Sequence, residues 1–237
     1  MKLTAPIFIL KQQAKALSRK EKMPLHQALD RIANREGFRA WSLLSAKAAA
    51  DKPSAALLAQ LRPGDLVLVA SRPGQGKTLL GIDLAIKTME QGNRAAFFTL
   101  EFTRADVARC FEIIGEEPSV FSERFLLDVS DRICADYIVT QLASAPPRTL
   151  VVVDYLQLLD QKRENADLMD QVHRLKDFAR RRQLIVLCLS QIDRSYDPAI
   201  RSCPDIGDVR LPNPVDLSLF DKTCFLSRGR LQYAASA

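Results

Sequence analysis

The sequence predicts an α/β fold, a mostly parallel sheet flanked by helices, with a small all-α unit in front of it. Three observations predict it. From Leu61 onward, short apolar runs rich in β-branched residues alternate with helical patterns, as expected for strands joined by helical crossovers. The segment from Leu66 to Leu80 passes from an apolar strand through a glycine-bearing turn into a helix start. The first fifty residues carry apolar residues at helical spacing.

The N-terminal elements follow from that spacing. Leu10, Ala14 and Leu17 share one helical face. Pro24 suits the first position of a second helix, in which Leu25, Ala28, Leu29, Ile32 and Ala33 form an apolar stripe, and Gly37 ends it. Phe38, Trp41, Leu43 and Leu44 supply large side chains to close a mini-core, with Trp41 a core residue rather than a ligand platform. The stretch from Ala48 to Ala55, small and interrupted by Pro53, is the expected linker. It divides the chain into a basic helical unit, residues 1–52, and an α/β domain, residues 57–237. In that domain strands are expected at 66–70, 95–100, 125–128, 149–153 and 184–189, with helices at 79–89, 104–114, 131–143 and 166–182.

With 237 residues, 47% of them hydrophobic, the chain can bury a substantial core. No apolar run approaches the roughly 20 residues that span a bilayer. The N-terminus lacks a signal-peptide cleavage pattern, so a cytoplasmic protein with no membrane partner is expected. The five cysteines are scattered, form no Cys-x-x-Cys pair and share the chain with two histidines, which favours packing thiols over a zinc site. Residues 1–52 hold 11 Lys and Arg against 4 Asp and Glu, whereas the remainder holds 23 against 24. The net charge of +6 is therefore +7 on the N-terminal unit and −1 on the remainder. Such a unit can track an anionic polymer, or its cations can simply solvate helix faces.

The chemistry gathers after the strands, where ligands collect in parallel sheets. In Ser71-Arg-Pro-Gly-Gln-Gly-Lys-Thr78, Gly74 and Gly76 let backbone N–H groups turn toward an anion on the helix N-terminus. Lys77 would reach the β- and γ-phosphates of ATP and the Thr78 hydroxyl would face Mg²⁺. Ser71 stands where the G-x-x-x-x-G-K-[ST] pattern has its first glycine, so Ser71, Arg72, Pro73, Gly74, Gln75, Gly76, Lys77 and Thr78 form an expected cradle that departs from the pattern at one position. Asp154, ending the apolar run Val151-Val-Val-Asp154, is a second metal contact or a turn cap. Glu101, ending Phe97-Phe-Thr-Leu-Glu101, is a candidate base for the lytic water or a helix N-terminal acid. Gln191, ending Leu187-Cys-Leu-Ser-Gln191, can hydrogen-bond the γ-phosphate and lose that contact after hydrolysis. A long proline-interrupted stretch, residues 192–207, follows it, which is uncommon unless the loop is functional.

Ser71-Arg-Pro-Gly-Gln-Gly-Lys-Thr78, Thr99-Leu-Glu-Phe102, Val152-Val-Asp-Tyr-Leu-Gln-Leu-Leu159 and Leu189-Ser-Gln-Ile-Asp-Arg-Ser195 together resemble, in order and spacing, the RecA-like motor domain of DnaB-type replicative helicases. The Asp-Tyr-Leu-Gln-Leu run is the most specific of them, and the resemblance covers about residues 57–228. It implies a RecA-like P-loop fold, ATP and Mg²⁺ as ligands, and Lys77, Thr78, Glu101, Asp154 and Gln191 as the nucleotide machinery. It also implies a hexamer-like ring with DNA-facing loops after Asp154 and Gln191, where Lys162, Arg163, Arg194 and Arg201 lie. Residues 1–52 do not look like the primase-interacting domain that precedes this motor in the family. The resemblance fades roughly where the family places its arginine-finger strand, with Arg228 and Arg230 the late arginines, so weak turnover by the isolated chain is expected. The expected function is an ATP-hydrolysing, helicase-like protein associated with single-stranded or duplex DNA. The alternative is a RecA-fold nucleotide switch that recruits a protein partner through residues 1–52 and does not unwind.

Overall fold

The computed structural model describes residues 3–5, 7–50, 53–159, 161–162, 164–193, 196–197, 201, 203–209, 213, 215–227 and 229–234. Three helices come first: α1 (Ile7–Glu21), α2 (Leu25–Arg35) and α3 (Trp41–Ala50). Leu10 and Ala14 of α1 pack on Ala28, Ile32 and Ala33 of α2 and on Leu44 of α3, with Phe38 and Trp41 at the margin of this small core. Leu43, expected inside, is 54% exposed. On α3 the inward position falls to Leu44, and the neighbouring residue is rotated about 100° away from it.

The expected linker is helical on both sides of residues 51 and 52, which lie outside the described residues. α3 runs to Ala50, and a short helix, α4 (Pro53–Leu58), starts with the proline that had marked a break. Leu57 of α4 is wholly buried in the core of the α/β layer, and the Ser54 hydroxyl donates to the Asp83 carboxylate. Asp83 lies on α5 (Lys77–Glu90).

The sheet has seven strands: β1 (Leu66–Ser71), β2 (Ala95–Thr99), β3 (Phe125–Asp128), β4 (Leu150–Asp154), β5 (Ile185–Gln191), β6 (Lys222–Ser227) and β7 (Arg230–Tyr233). Their order is β3-β2-β4-β5-β1-β6-β7, parallel throughout except that β7 runs antiparallel to β6. The β6–β7 hairpin was absent from the strands expected from sequence. The remaining helices are α6 (Arg104–Ile114), α7 (Ala135–Gln141) and α8 (Leu168–Arg182). Alternate strand residues serve opposite faces. Val67, Val69, Phe97, Val152 and Leu187 pack against α5 and α6, whereas Leu66, Leu68, Phe98, Val151 and Val186 pack against α7 and α8. Burial of both faces explains why these strands read as continuous apolar runs.

Three contacts position the site-bearing elements. Gly81 lets α5 lie close on the sheet, since a Cβ there would stand 3.1 Å from Val152 Cγ1 and 3.3 Å from Leu189 Cδ1. Asp221, just before β6, accepts from Leu66 N at 2.9 Å, from Lys176 Nζ at 3.3 Å and from Arg180 at 3.4 Å, so it ties β1 to α8. Gln171 Oε1 accepts from Ala135 N at 2.9 Å and thereby starts α7 four residues later than the expected helix, after a turn at 131–134. No helix among the described residues is long and apolar enough to cross a membrane.

Candidate nucleotide-binding site

Strand register brings the expected residues to one edge of the sheet. Ser71 pairs with Gln191, Asp154 with Leu189, and Thr99 with Asp154, so the ends of β1, β5, β4 and β2 lie side by side. Gly74 and Gly76 both adopt left-handed backbone, at φ 76° and 85°. A Cβ at either would meet nothing within 4 Å, so glycine is required there by conformation and not by space. Ser71 is the buried last residue of β1 and has no positive φ, so the backbone does not call for glycine at that position. Its hydroxyl donates to Arg72 O at 3.1 Å. Pro73, Gly74 and Gln75 are exposed at the tip of the turn, and α5 opens with Lys77 and Thr78. The first-turn N–H groups of such a helix have no intrahelical partners and favour an anion.

Lys77 is 7% exposed although it is charged. Its Nζ stands 3.9 Å from Glu101 Oε2 and 5.4 Å from the centroid of the Tyr155 ring. Asp154 is 1% exposed, and Thr78 Oγ1 donates to its Oδ2 at 2.8 Å. Asp154 Oδ1 is buried and has no hydrogen-bond partner among the described residues. Burial pushes this carboxyl up to about 6, against the pull of Lys77 and the Thr78 hydrogen bond. A hydroxyl beside a carboxylate with one unsatisfied oxygen is a hard, all-oxygen donor set, which fits Mg²⁺. The Asp154–Tyr155 peptide bond is cis.

The loop that carries Glu101 is held from below. Thr99 Oγ1 accepts from the N–H groups of Glu101 and Phe102 at 3.2 and 3.1 Å, and Leu100 N donates to Asp154 O at 3.2 Å. α6 begins after Thr103, which forms a capping box with Asp106. The carboxylate that serves the helix N-terminus is therefore Asp106, and Glu101 is left to face Lys77.

Gln191 ends β5 half-buried. Its peptide group is gripped by Gln157, from the turn after β4: Gln157 Nε2 donates to Gln191 O at 3.1 Å and to Ser190 Oγ at 2.8 Å. Nothing in the spacing of Gln157 within its sequence motif shows that it reaches β5. Of the residues expected to meet DNA, Arg163 and Arg194 lie outside the described residues, as does the late arginine Arg228. Lys162 pairs with Asp131 at 3.1 Å. Arg201 pairs with Asp205 at 2.7 Å and Asp208 at 2.5 Å and lies over the Tyr196 ring, so its charge is answered within its own loop.

Strand order, crossovers and the glycine turn together define the RecA-like ATPase fold. Residues 135–229 match the family model of the DnaB-like helicase C terminal domain. A probable plasmid replicative DNA helicase of Chlamydia trachomatis is 28% identical over 181 residues, 63% of this chain and 40% of that protein. The replicative DNA helicase DnaB of Mycoplasma genitalium is 26% identical over 200 residues, 67% of this chain and 42% of that protein. The chain thus spans about two fifths of the length of these relatives. A solved ATPase domain aligns with a TM-score of 0.59 at 20% identity, covering 79% of this chain and 81% of that one. A DnaB-like replicative helicase whose structure describes its interactions with primase aligns at 0.61 and 17% identity, covering 94% of this chain and 65% of that one. The chain therefore resembles the ATPase domain of DnaB-type replicative helicases in both sequence and fold.

Proposed function

We propose that the chain is a Mg²⁺-dependent ATPase of DnaB-like type that acts in association with DNA. The observation that carries this reading is the buried Asp154 carboxylate, one oxygen bonded to Thr78 and the other unsatisfied, beside the buried Lys77 at the foot of a glycine turn. A triphosphate seated on the start of α5 would draw Lys77 from Glu101 to its β- and γ-oxygens. Mg²⁺ held by Thr78 and Asp154 supplies neutralisation of phosphate charge when bound. Glu101, released from Lys77, takes the proton of a water whose oxygen bonds to the γ-phosphorus as the bond to ADP breaks. Gln191 donates to the γ-phosphoryl oxygens, and its contact is lost with the departing phosphate.

Association with DNA is supported by the resemblance and by the N-terminal unit. The three described carboxylates of that unit are all engaged: Glu21 with Arg31, Asp30 with Trp41 N, and Glu36 with Thr4. Lys11, Lys15 and Arg19, one turn apart on α1, are exposed. Phosphate neutralisation needs only such sequence-indifferent charges. By the same resemblance a ring of copies would supply a neighbour's arginine to each γ-phosphate, with Arg228 and Arg230 the candidates. The alternative, a nucleotide switch that recruits a protein through residues 1–52, is favoured by the separate small core of that unit and by its exposed Leu25 and Leu43. ATP turnover measured with and without single-stranded DNA separates the two. The motor reading predicts stimulation by DNA that vanishes in Lys77→Ala. Turnover indifferent to DNA favours the switch, and the absence of any Mg²⁺-dependent turnover or ATP binding overturns both.

A further inference from the structure

We infer that Gln157 is a positioning residue that locks the γ-phosphate-facing end of β5 to the metal-binding end of β4. The inference rests on the nucleotide site proposed above. The β4–β5 ladder stops at the pair Asp154 with Leu189, whereas β5 continues through Ser190 to Gln191. On its other side Gln191 is still held, paired with Ser71 of β1, and Ile192 N donates to Ser71 O at 3.1 Å. Past the end of β4, the backbone of Gln191 would thus face a gap where the neighbouring strand has turned away.

The Gln157 carboxamide fills that gap. It is 8% exposed and stands in the 3-10 turn that follows β4, residues 156–158. Nε2 donates to Gln191 O at 3.1 Å, and Gln191 N approaches Oε1 at 3.4 Å, so one side-chain amide meets both polar groups of one residue, as a strand partner would. Nε2 also donates to the buried Ser190 hydroxyl at 2.8 Å. Gln191 is therefore fixed between the start of the glycine turn on one side and the segment that carries Asp154 on the other. An asparagine at 157 would be one methylene too short to span both groups, and a glutamate would place an acceptor against Gln191 O. The chemistry favours glutamine because the task is to donate and accept within one plane.

The consequence is specific to the triphosphate. In the proposed site the nucleotide group that Gln191 meets is the γ-phosphate, so loss of its support should affect ATP and spare ADP. The test measures affinity for ADP and for ATPγS, together with kcat, in Gln157→Leu, Gln191→Ala and the double variant, with thermal melting as the check on folding. Gln157→Leu should keep parental ADP affinity, lose the preference for ATPγS to the extent that Gln191→Ala does, and lower kcat about 10- to 100-fold, as misplacement of a reacting group does. The double variant should be no worse than either single one. Ser190→Ala, which deletes one hydroxyl in a buried place, should show a smaller loss in the same direction and serves if Gln157→Leu does not fold. Parental ATPγS preference in folded variants, equal loss of ADP and ATPγS binding, or additive effects of the two substitutions would each overturn the inference alone. Parental ADP binding by Lys77→Ala would overturn the nucleotide site and this inference with it.

Discussion

Thr78 and Asp154 share one hydrogen bond, 2.8 Å from hydroxyl to Oδ2, and leave the other carboxylate oxygen of Asp154 buried and without a partner among the described residues. A charge placed so is costly to the folded chain and useful only when something binds it. Its neighbour Lys77 is turned toward Glu101 and Tyr155.

Asp154→Asn is therefore expected to raise the melting temperature of the ligand-free chain at pH 7.5 and to abolish the effect of Mg²⁺ on nucleotide binding. The sign follows from the pKa, about 6 in the fold against an ordinary value of about 3.8 for an aspartate. The folded state holds the proton more tightly than the unfolded state, so this group's contribution to stability improves as pH falls from above 6 toward 4 and is unfavourable above 6. Melting curves across that range should show the improvement in the parental chain and lack it in the variant.

Glu101→Gln should bind ATP at least as well as the parent, because Lys77 is freed from its carboxylate partner. Turnover should fall about 100-fold or more, the usual scale for a lost general base. Equal turnover in the two proteins would assign the base elsewhere.

Asp221→Ala is expected to destabilise the fold without touching the nucleotide site, by about 1–3 kcal/mol for the polar partners it leaves behind. Burial raises the Asp221 carboxyl, but the Leu66 hydrogen bond and the neighbouring Lys176 and Arg180 outweigh it and hold the group below its ordinary value. Its stabilising contribution is thus present above the unfolded value, near 3.8, and is lost as pH falls through the lower folded value. Urea midpoints at pH 7 and pH 3 should differ less in the variant than in the parent.

Lys11→Glu, Lys15→Glu and Arg19→Glu combined should weaken DNA binding and lower the slope of log affinity against log salt by about 2–3, as expected when that many phosphate contacts are removed. ATP affinity in the same protein should remain parental, since these residues lie on α1 and not at the glycine turn. An unchanged salt slope would remove the N-terminal unit from the DNA surface.

Much of this architecture was legible in the chain because its strands are buried on both faces and end in chemistry-bearing residues. Leu66 to Ala70 and Val151 to Val153 could be read as strands from apolar continuity alone, and Lys77, Thr78, Glu101, Asp154 and Gln191 then fell at the strand ends. The helical flanks of the expected linker were not legible because Pro53 signals a break and also starts a helix, and tertiary packing of Leu57 and Ser54 decides between the two. β6 and β7 were missed because their residues are mixed in character, as suits a strand pair at the sheet's edge. Gln157 and Gly81 could not be recognised by spacing, since each acts on a strand that is distant in sequence.

The most direct test of the nucleotide site is calorimetric titration of ATP into the parental chain and into Lys77→Ala, each with and without Mg²⁺. The parent should bind ATP more tightly with Mg²⁺ than without it. The Lys77 variant, with an unchanged melting temperature, should bind about 10-fold more weakly or worse, the scale of one lost hydrogen bond to a charged group. Equal ATP affinity in the two folded proteins, indifferent to Mg²⁺, would contradict the assignment of residues 71–78 and Asp154 as the nucleotide site.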